Sequence, residues 1–147
     1  RDEAFWDYVR PNEMDTPLEV RTLPKHKVQI MLLSQYRVEH LDELLKQEVW
    51  KTGNVKLYYS QLTEILKSYI EKRFQCSVME RTTAELLIYI RNHITDTQIL
   101  NALERILTHS DFAKFAKQFH SEALHRELLN LSKSFVEQTR LNTNPQS

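Results

Sequence analysis

The side chains in this chain that could do chemistry are its six histidines, one cysteine, six tyrosines and twenty carboxylates. A reaction centre or metal site needs several of them to converge, and three- or four-residue spacing on a helix face is the convergence a sequence can display. The histidines do not show it. His120 and His125 are five residues apart, which turns them off a common face, and there is no His-Glu-x-x-His. A local zinc motif is excluded, although ligands drawn from distant helices are not. Cys76 would need a neighbouring base to become a thiolate, and His93 or His109 could supply one after folding. The plainer reading of Cys76 is a small, partly buried residue. A phosphate cradle is excluded more firmly, because the chain has a single glycine. Glu64 with Lys67, Asp111 with Lys114, and Glu122 with Arg126 have the spacing of helix-surface ion pairs rather than acid–base machinery. Tyr58, Tyr59 and Tyr69 could stack bases, but they fall on a helical stripe. Core packing with the hydroxyls at the rim is the better account. No catalytic, cofactor-binding or metal-ligating residues are expected, and the chain reads as a non-enzyme without a cofactor.

The elements that carry these residues are helical. One glycine and four prolines, three of them before residue 25, are too few turn residues for a β protein. At 147 residues the chain fits one domain able to bury roughly two-thirds of its unfolded surface. A hydrophobic fraction of 41% with 27% charged residues is that of an ordinary globular protein. Net charge is zero, so no whole-molecule field draws the chain to DNA or to an anionic membrane. The single cysteine is consistent with a reducing compartment. The run Ile30-Met31-Leu32-Leu33 is far short of the about 20 residues that span a bilayer. Because the first residue is Arg1, the sequence is expected to be a piece of a longer protein.

Three regions are expected: a linker or docking segment over residues 1–24, a helical domain over 25–140 and a tail over 141–147. The first holds three prolines and a net charge of −3, against +3 in the remainder. Its aromatic turn, with Phe5, Trp6 and Tyr8, is the candidate interface, since aromatics are favoured where interfaces bury their centres. The domain is expected to be an all-α bundle of about five to six helices that starts with an antiparallel hairpin. A helix from Lys25 to Lys51 should be closed by Gly53, and a second, starting at Val55, should carry Tyr58, Leu62, Ile65, Leu66 and Tyr69 on its apolar stripe. Thr82-x-x-Glu85 is a capping box, a device that can recur at Thr95-x-x-Gln98. A helix from Thr97 to Leu107 should break at Thr108-His109-Ser110, followed by a short helix from Asp111 to Gln118 whose Phe112, Phe115, Ala116 and Phe119 are buried. Ser121 should start the last helix. The expected core is Leu41, Leu45, Trp50, Tyr58, Leu62, Ile65, Leu66, Tyr69, Leu86, Ile90, Leu103, Ile106, Phe112, Phe115 and Leu128.

Four segments together carry a family resemblance: Tyr58-Tyr59-Ser60-Gln61-Leu62-Thr63-Glu64-Ile65-Leu66, Tyr69-Ile70-Glu71-Lys72-Arg73-Phe74, Glu80-Arg81-Thr82-Thr83-Ala84-Glu85 and Asp111-Phe112-Ala113-Lys114-Phe115-Ala116. Over roughly residues 38 to 140 the chain resembles the C-terminal helical region of Bacteroidetes membrane-anchored proteins of the Bat aerotolerance cluster, relatives of BatD. It departs from that pattern at His120-Ser121, where the family has a proline-containing turn. The resemblance implies a cytoplasmic domain at the inner membrane, following a transmembrane helix, with a MoxR-type ATPase as neighbour. It implies no catalytic or ligand residues. The resulting expectation is a non-catalytic interaction domain that couples a membrane protein to a cytosolic partner such as that ATPase. The alternative is a helix-turn-helix nucleic-acid binder built from Thr82 to Asn92 and Thr97 to Leu107.

Overall fold

A computed structural model describes residues 25–115 and 121–140. Phe5, Trp6 and Tyr8, the 1–24 segment that holds them, Ala116, Phe119 and the 141–147 tail lie outside the described residues. Among the described residues there are five α-helices and one short 3-10 helix, and no strand. The helices are α1 (Lys25–Gln47), α2 (Val55–Phe74), α3 (Thr83–Ile90), α4 (Thr97–Phe115) and α5 (Glu122–Thr139), with the 3-10 helix Val49–Thr52 between the first two. The expected all-α bundle with an opening helical hairpin is what the chain forms.

α2 is the axis of the fold, in contact with α1, α4, α5 and the 3-10 helix. Eleven of its residues are buried, including Tyr58, Tyr59, Leu62, Leu66, Tyr69 and Ile70. The Asn54 side chain caps its start by accepting from the Leu57 amide at 3.3 Å. Gln75 ends it in the left-handed conformation at φ 53°, where its N–H bonds back to the Glu71 carbonyl. α5 runs parallel to α2: Tyr58 reaches the His125 carbonyl and Tyr69 the Val136 carbonyl, a step of eleven residues in both helices.

The turn between α1 and α2 is more elaborate than the expected single helix to Lys51. Glu48 takes the left-handed conformation at φ 46°, breaks the helix there, and leads into the 3-10 helix that Gly53 closes at φ 81°. Gly53 is needed for that positive φ, since a side chain there would be strained even though nothing lies within 4 Å of its Cβ position. The break swings Trp50 inward, edge-on to Tyr58 with ring centroids 4.9 Å apart.

α3 starts at the expected capping box, with the Thr82 hydroxyl accepting from the Glu85 amide and the Glu85 carboxylate accepting from the Thr82 amide. At the start of α4 the expected Thr95 box is not the device used. Asp96 Oδ1 accepts from the Gln98 amide at 2.8 Å and the Ile99 amide at 3.4 Å. An aspartate one residue later reaches two of the free donors of the first turn, in the place where Thr95 was expected to cap. Ser121 caps α5 as expected by accepting from the Leu124 amide.

α4 contradicts the expected break at Thr108-His109-Ser110. It runs unbroken from Thr97 to Phe115, and the Ser110 hydroxyl donates to the Ile106 carbonyl at 2.7 Å. A serine satisfied by the carbonyl four residues back stays within a helix, and without proline or glycine nothing stops the next turn. Continuity fixes the phase. With Leu103, Ile106, Leu107, Ser110 and Ala113 facing inward, Phe112 and Phe115 fall outside, 46% and 75% exposed. They do not belong to the core. Leu45 and Ile65 pack against it only half-buried, while the other eleven expected core residues are buried.

Candidate interaction surface

The groups that suggested chemistry are engaged in holding the fold. Tyr58 and Tyr59 do not place their hydroxyls at the rim, as expected, but deep in the bundle, and both residues are fully buried. Tyr58 Oη donates to the His125 carbonyl at 2.8 Å, and Tyr59 Oη shares a 2.7 Å hydrogen bond with His125 Nδ1. Buried hydroxyls need partners. Here α5 supplies them through a backbone carbonyl and a buried imidazole. Burial pushes both phenols well above their usual range. About three turns further along α2, Tyr69 Oη donates to the Val136 carbonyl at 3.2 Å and lies 2.7 Å from the Thr139 hydroxyl. Arg73, itself buried, donates from Nε to the Thr139 carbonyl at 3.0 Å, a cation at a helix C-terminus.

Cys76 is half-buried in the loop after α2. Burial, reinforced by the Glu71 carboxylate and opposed by Arg81, raises its thiol to about 11, so it is a poor nucleophile at neutral pH. The Cys76 thiol lies 3.8 Å from the Ile70 carbonyl, and the His93 ring packs against Phe74 and Tyr89. Glu71 uses one carboxylate oxygen, Oε2, to accept from the Val78 and Met79 amides, both at 2.9 Å, and so orders that loop. Among the described residues no three His, Cys, Asp or Glu side chains are placed to hold a metal ion.

Two of the three sequence-expected ion pairs form on the surface, Glu122 with Arg126 at 3.0 Å and Asp111 with Lys114 at 3.9 Å. Lys67 reaches the Arg81 carbonyl at 3.0 Å. Arg126 also bonds Glu48 at 2.7 Å, joining the α1–α2 turn to α5. Sequence spacing gave no signal of that link, because the partners are 78 residues apart.

The surface itself stands out at the end of α4. Phe112 and Phe115, one turn apart, point to solvent, and Lys114 between them has its ammonium 5.4 Å from the Phe115 ring centre. This corner is held in place. Thr83 donates to the Asp111 carboxylate at 2.6 Å, tying the start of α3 to the end of α4, and Lys114 donates to the Thr63 hydroxyl of α2 at 3.2 Å. Burial lowers the Lys114 ammonium from its usual range, with Lys67 acting in the same direction and Asp111 against it. On α3, Ile88 is also 66% exposed. Of the expected buried phenylalanine face, Phe112 and Phe115 therefore lie on the outer side of the helix. No helix of the described residues is long and apolar enough to cross a membrane. No family model, no curated protein and no solved structure matches this chain.

Proposed function

We propose that this chain is a non-catalytic interaction domain, the cytoplasmic part of a membrane-anchored protein, that binds a cytosolic protein partner through the aromatic end of α4. The observation that carries the reading is the exposed pair Phe112 and Phe115 on a braced helix. Aromatic side chains bring large contact area at little conformational cost, and they are enriched at the centres of protein interfaces. The non-catalytic part is supported by the engagement of Tyr58, Tyr59, Glu71 and Cys76 in packing and loop order. The membrane anchor, the cytoplasmic side and the choice of a MoxR-type ATPase as partner rest on the family resemblance of the sequence.

The test is association with a purified MoxR-type ATPase at micromolar concentrations, in each nucleotide state, for the unaltered chain and for a Phe112→Ser, Phe115→Ser double variant. Binding that the double variant loses while keeping its helical circular dichroism is the expected result. Equal binding by both proteins would move the interface elsewhere, and no binding in any nucleotide state would remove the ATPase as partner. A helix-turn-helix role for α3 and α4 would show instead as duplex DNA binding that falls steeply with salt.

A further inference from the structure

Formal charge is unevenly shared along the bundle. α2 ends beside the end of α5, where Arg73 bonds the Thr139 carbonyl, and beside the α3–α4 loop, where the Phe74 and His93 rings are 5.3 Å apart. The opening hairpin brings the start of α1 to the same end. This layer, residues 25–28, 71–74, 91–96 and 137–140, holds Lys25, Lys27, Lys72, Arg73, Arg91 and Arg140. Its carboxylates are Glu71, Asp96 and Glu137, so six cations against three anions leave it at +3. Setting aside Arg73, which is buried on the Thr139 carbonyl, and Glu71, which accepts from two amides, gives the same +3. Glu80 and Arg81 in the loop after α2 cancel each other. The other described residues together hold ten cations and eleven carboxylates, a net −1. The positive potential of the domain is concentrated where α1 begins.

The chain that enters this end has the opposite sign. Residues 1–24 carry three arginines against six carboxylates, a net −3, and Glu13, Asp15 and Glu19 all fall within twelve residues of Lys25. Six to twelve residues reach roughly 20 to 40 Å when extended, against about 10 Å between neighbouring helix axes, so these carboxylates have the reach to meet every cation of the layer. Isolated exposed ion pairs contribute little. Covalent attachment changes that balance, because it holds the charges at a local concentration on the order of millimolar.

We propose that the acidic segment of residues 1–24 docks on this basic end of the bundle through Glu13, Asp15 and Glu19, and so competes with any other polyanion for it. The occupant is identified by its charge and by its point of attachment. The contact is separate from the α4 aromatic pair and does not depend on the partner proposed there.

Nitrogen–proton correlation spectra of the full chain and of its Glu13→Gln, Asp15→Asn, Glu19→Gln variant, recorded at low salt, test it. The substituted positions are more than fifty residues from Lys72, Arg91 and Arg140, so amide shifts at those three report contact through space. The expected result is shift differences there at least about threefold above the average of the described residues. They should vanish in about 0.5 M NaCl, where the Debye length falls to about 4 Å. An Asn12→Ala, Thr16→Ala variant, which leaves the charges in place, should not produce them. Differences no larger than the average, differences that persist in salt, or differences centred on Phe112 and Phe115 would each overturn the proposal. If the same amides then shift on adding phosphatidylglycerol vesicles to the unaltered chain, the basic end belongs to a lipid surface instead. Because Phe112 and Phe115 are intact in these variants, failure here leaves the ATPase experiment to decide the proposed function separately.

Discussion

Tyr59 Oη and His125 Nδ1 are 2.7 Å apart inside the bundle, a hydrogen bond between two side chains that sit on different helices and are both withdrawn from water. The pair joins α2 to α5 at the level where Trp50, Tyr58 and His125 crowd together, with the Trp50 and His125 ring centres 5.5 Å apart. Replacing Tyr59 with phenylalanine keeps the ring and removes the bond. It should cost about 1 to 2 kcal/mol, the usual loss when a buried group gives up a hydrogen-bond partner. Urea denaturation measures it, and an unchanged midpoint would show that the bond contributes nothing net.

Thr82→Ala removes the cap of α3 and should cost about 1 kcal/mol. The same denaturation experiment reads the loss, with Thr95→Ala as the comparison. Because Asp96 caps α4, the Thr95 variant should leave the midpoint where it is.

Gln75 holds a left-handed conformation at φ 53° at the end of α2, a region that costs roughly 1 kcal/mol for a residue with a Cβ. Gln75→Gly should therefore raise stability by several tenths of a kcal/mol, the reverse of a glycine substitution inside a helix. A lowered midpoint would mean that the Gln75 side chain contributes more than the strain costs.

Phe115→Ser should change stability by less than about 0.5 kcal/mol, as surface substitutions do. Leu103→Ala, on the buried side of the same helix, should cost about 2 to 5 kcal/mol. Comparable losses in the two variants would return Phe115 to the core.

Acid should weaken the fold through its capping and paired glutamates. Glu48 is held below the usual carboxylate value of 4.5 mainly by its bond to Lys51, Glu122 by its bond to Arg126, and Glu85 by the Thr82 amide. A carboxylate whose pKa is depressed by folding contributes above its unfolded value, and the contribution disappears as pH falls through the folded one. Melting temperature should thus be level above the usual carboxylate range and fall below it. A Glu48→Gln, Glu122→Gln double variant should show a shallower acid slope, and a slope identical to that of the unaltered chain would assign the acid sensitivity elsewhere. Glu85 and Glu122 are exposed and Glu48 is half-buried, so added salt should reduce the effect.

What was legible in the sequence was local. The extent of α2, the role of Gly53, the capping box at Thr82 and the start of α5 at Ser121 all follow from residues within one or two turns of one another. The break at Glu48 was not legible, because a glutamate in the left-handed region carries no compositional mark; its bonds to Lys51 and Arg126 belong to the folded arrangement. α4 was misread because the Thr108-His109-Ser110 stretch looks like a cap in sequence, while in the helix Ser110 bonds back to Ile106. Breaking the helix there let the phenylalanine spacing be read as a buried face, so the surface that now supports the function reading was hidden by a phase error.

Tyr58, Tyr59, Tyr69 and Arg73 each hydrogen-bond to a residue 66 to 70 positions later in the chain. While the protein is being synthesised, the axial helix leaves the ribosome long before the helix that completes it. Until then those bonds are unmade and the face of α2 that meets α5 is open to water and to any chaperone within reach. The last helix therefore works as the closing piece of assembly, and a ribosome stalled before residue 125 would hold a hairpin with an unfinished core.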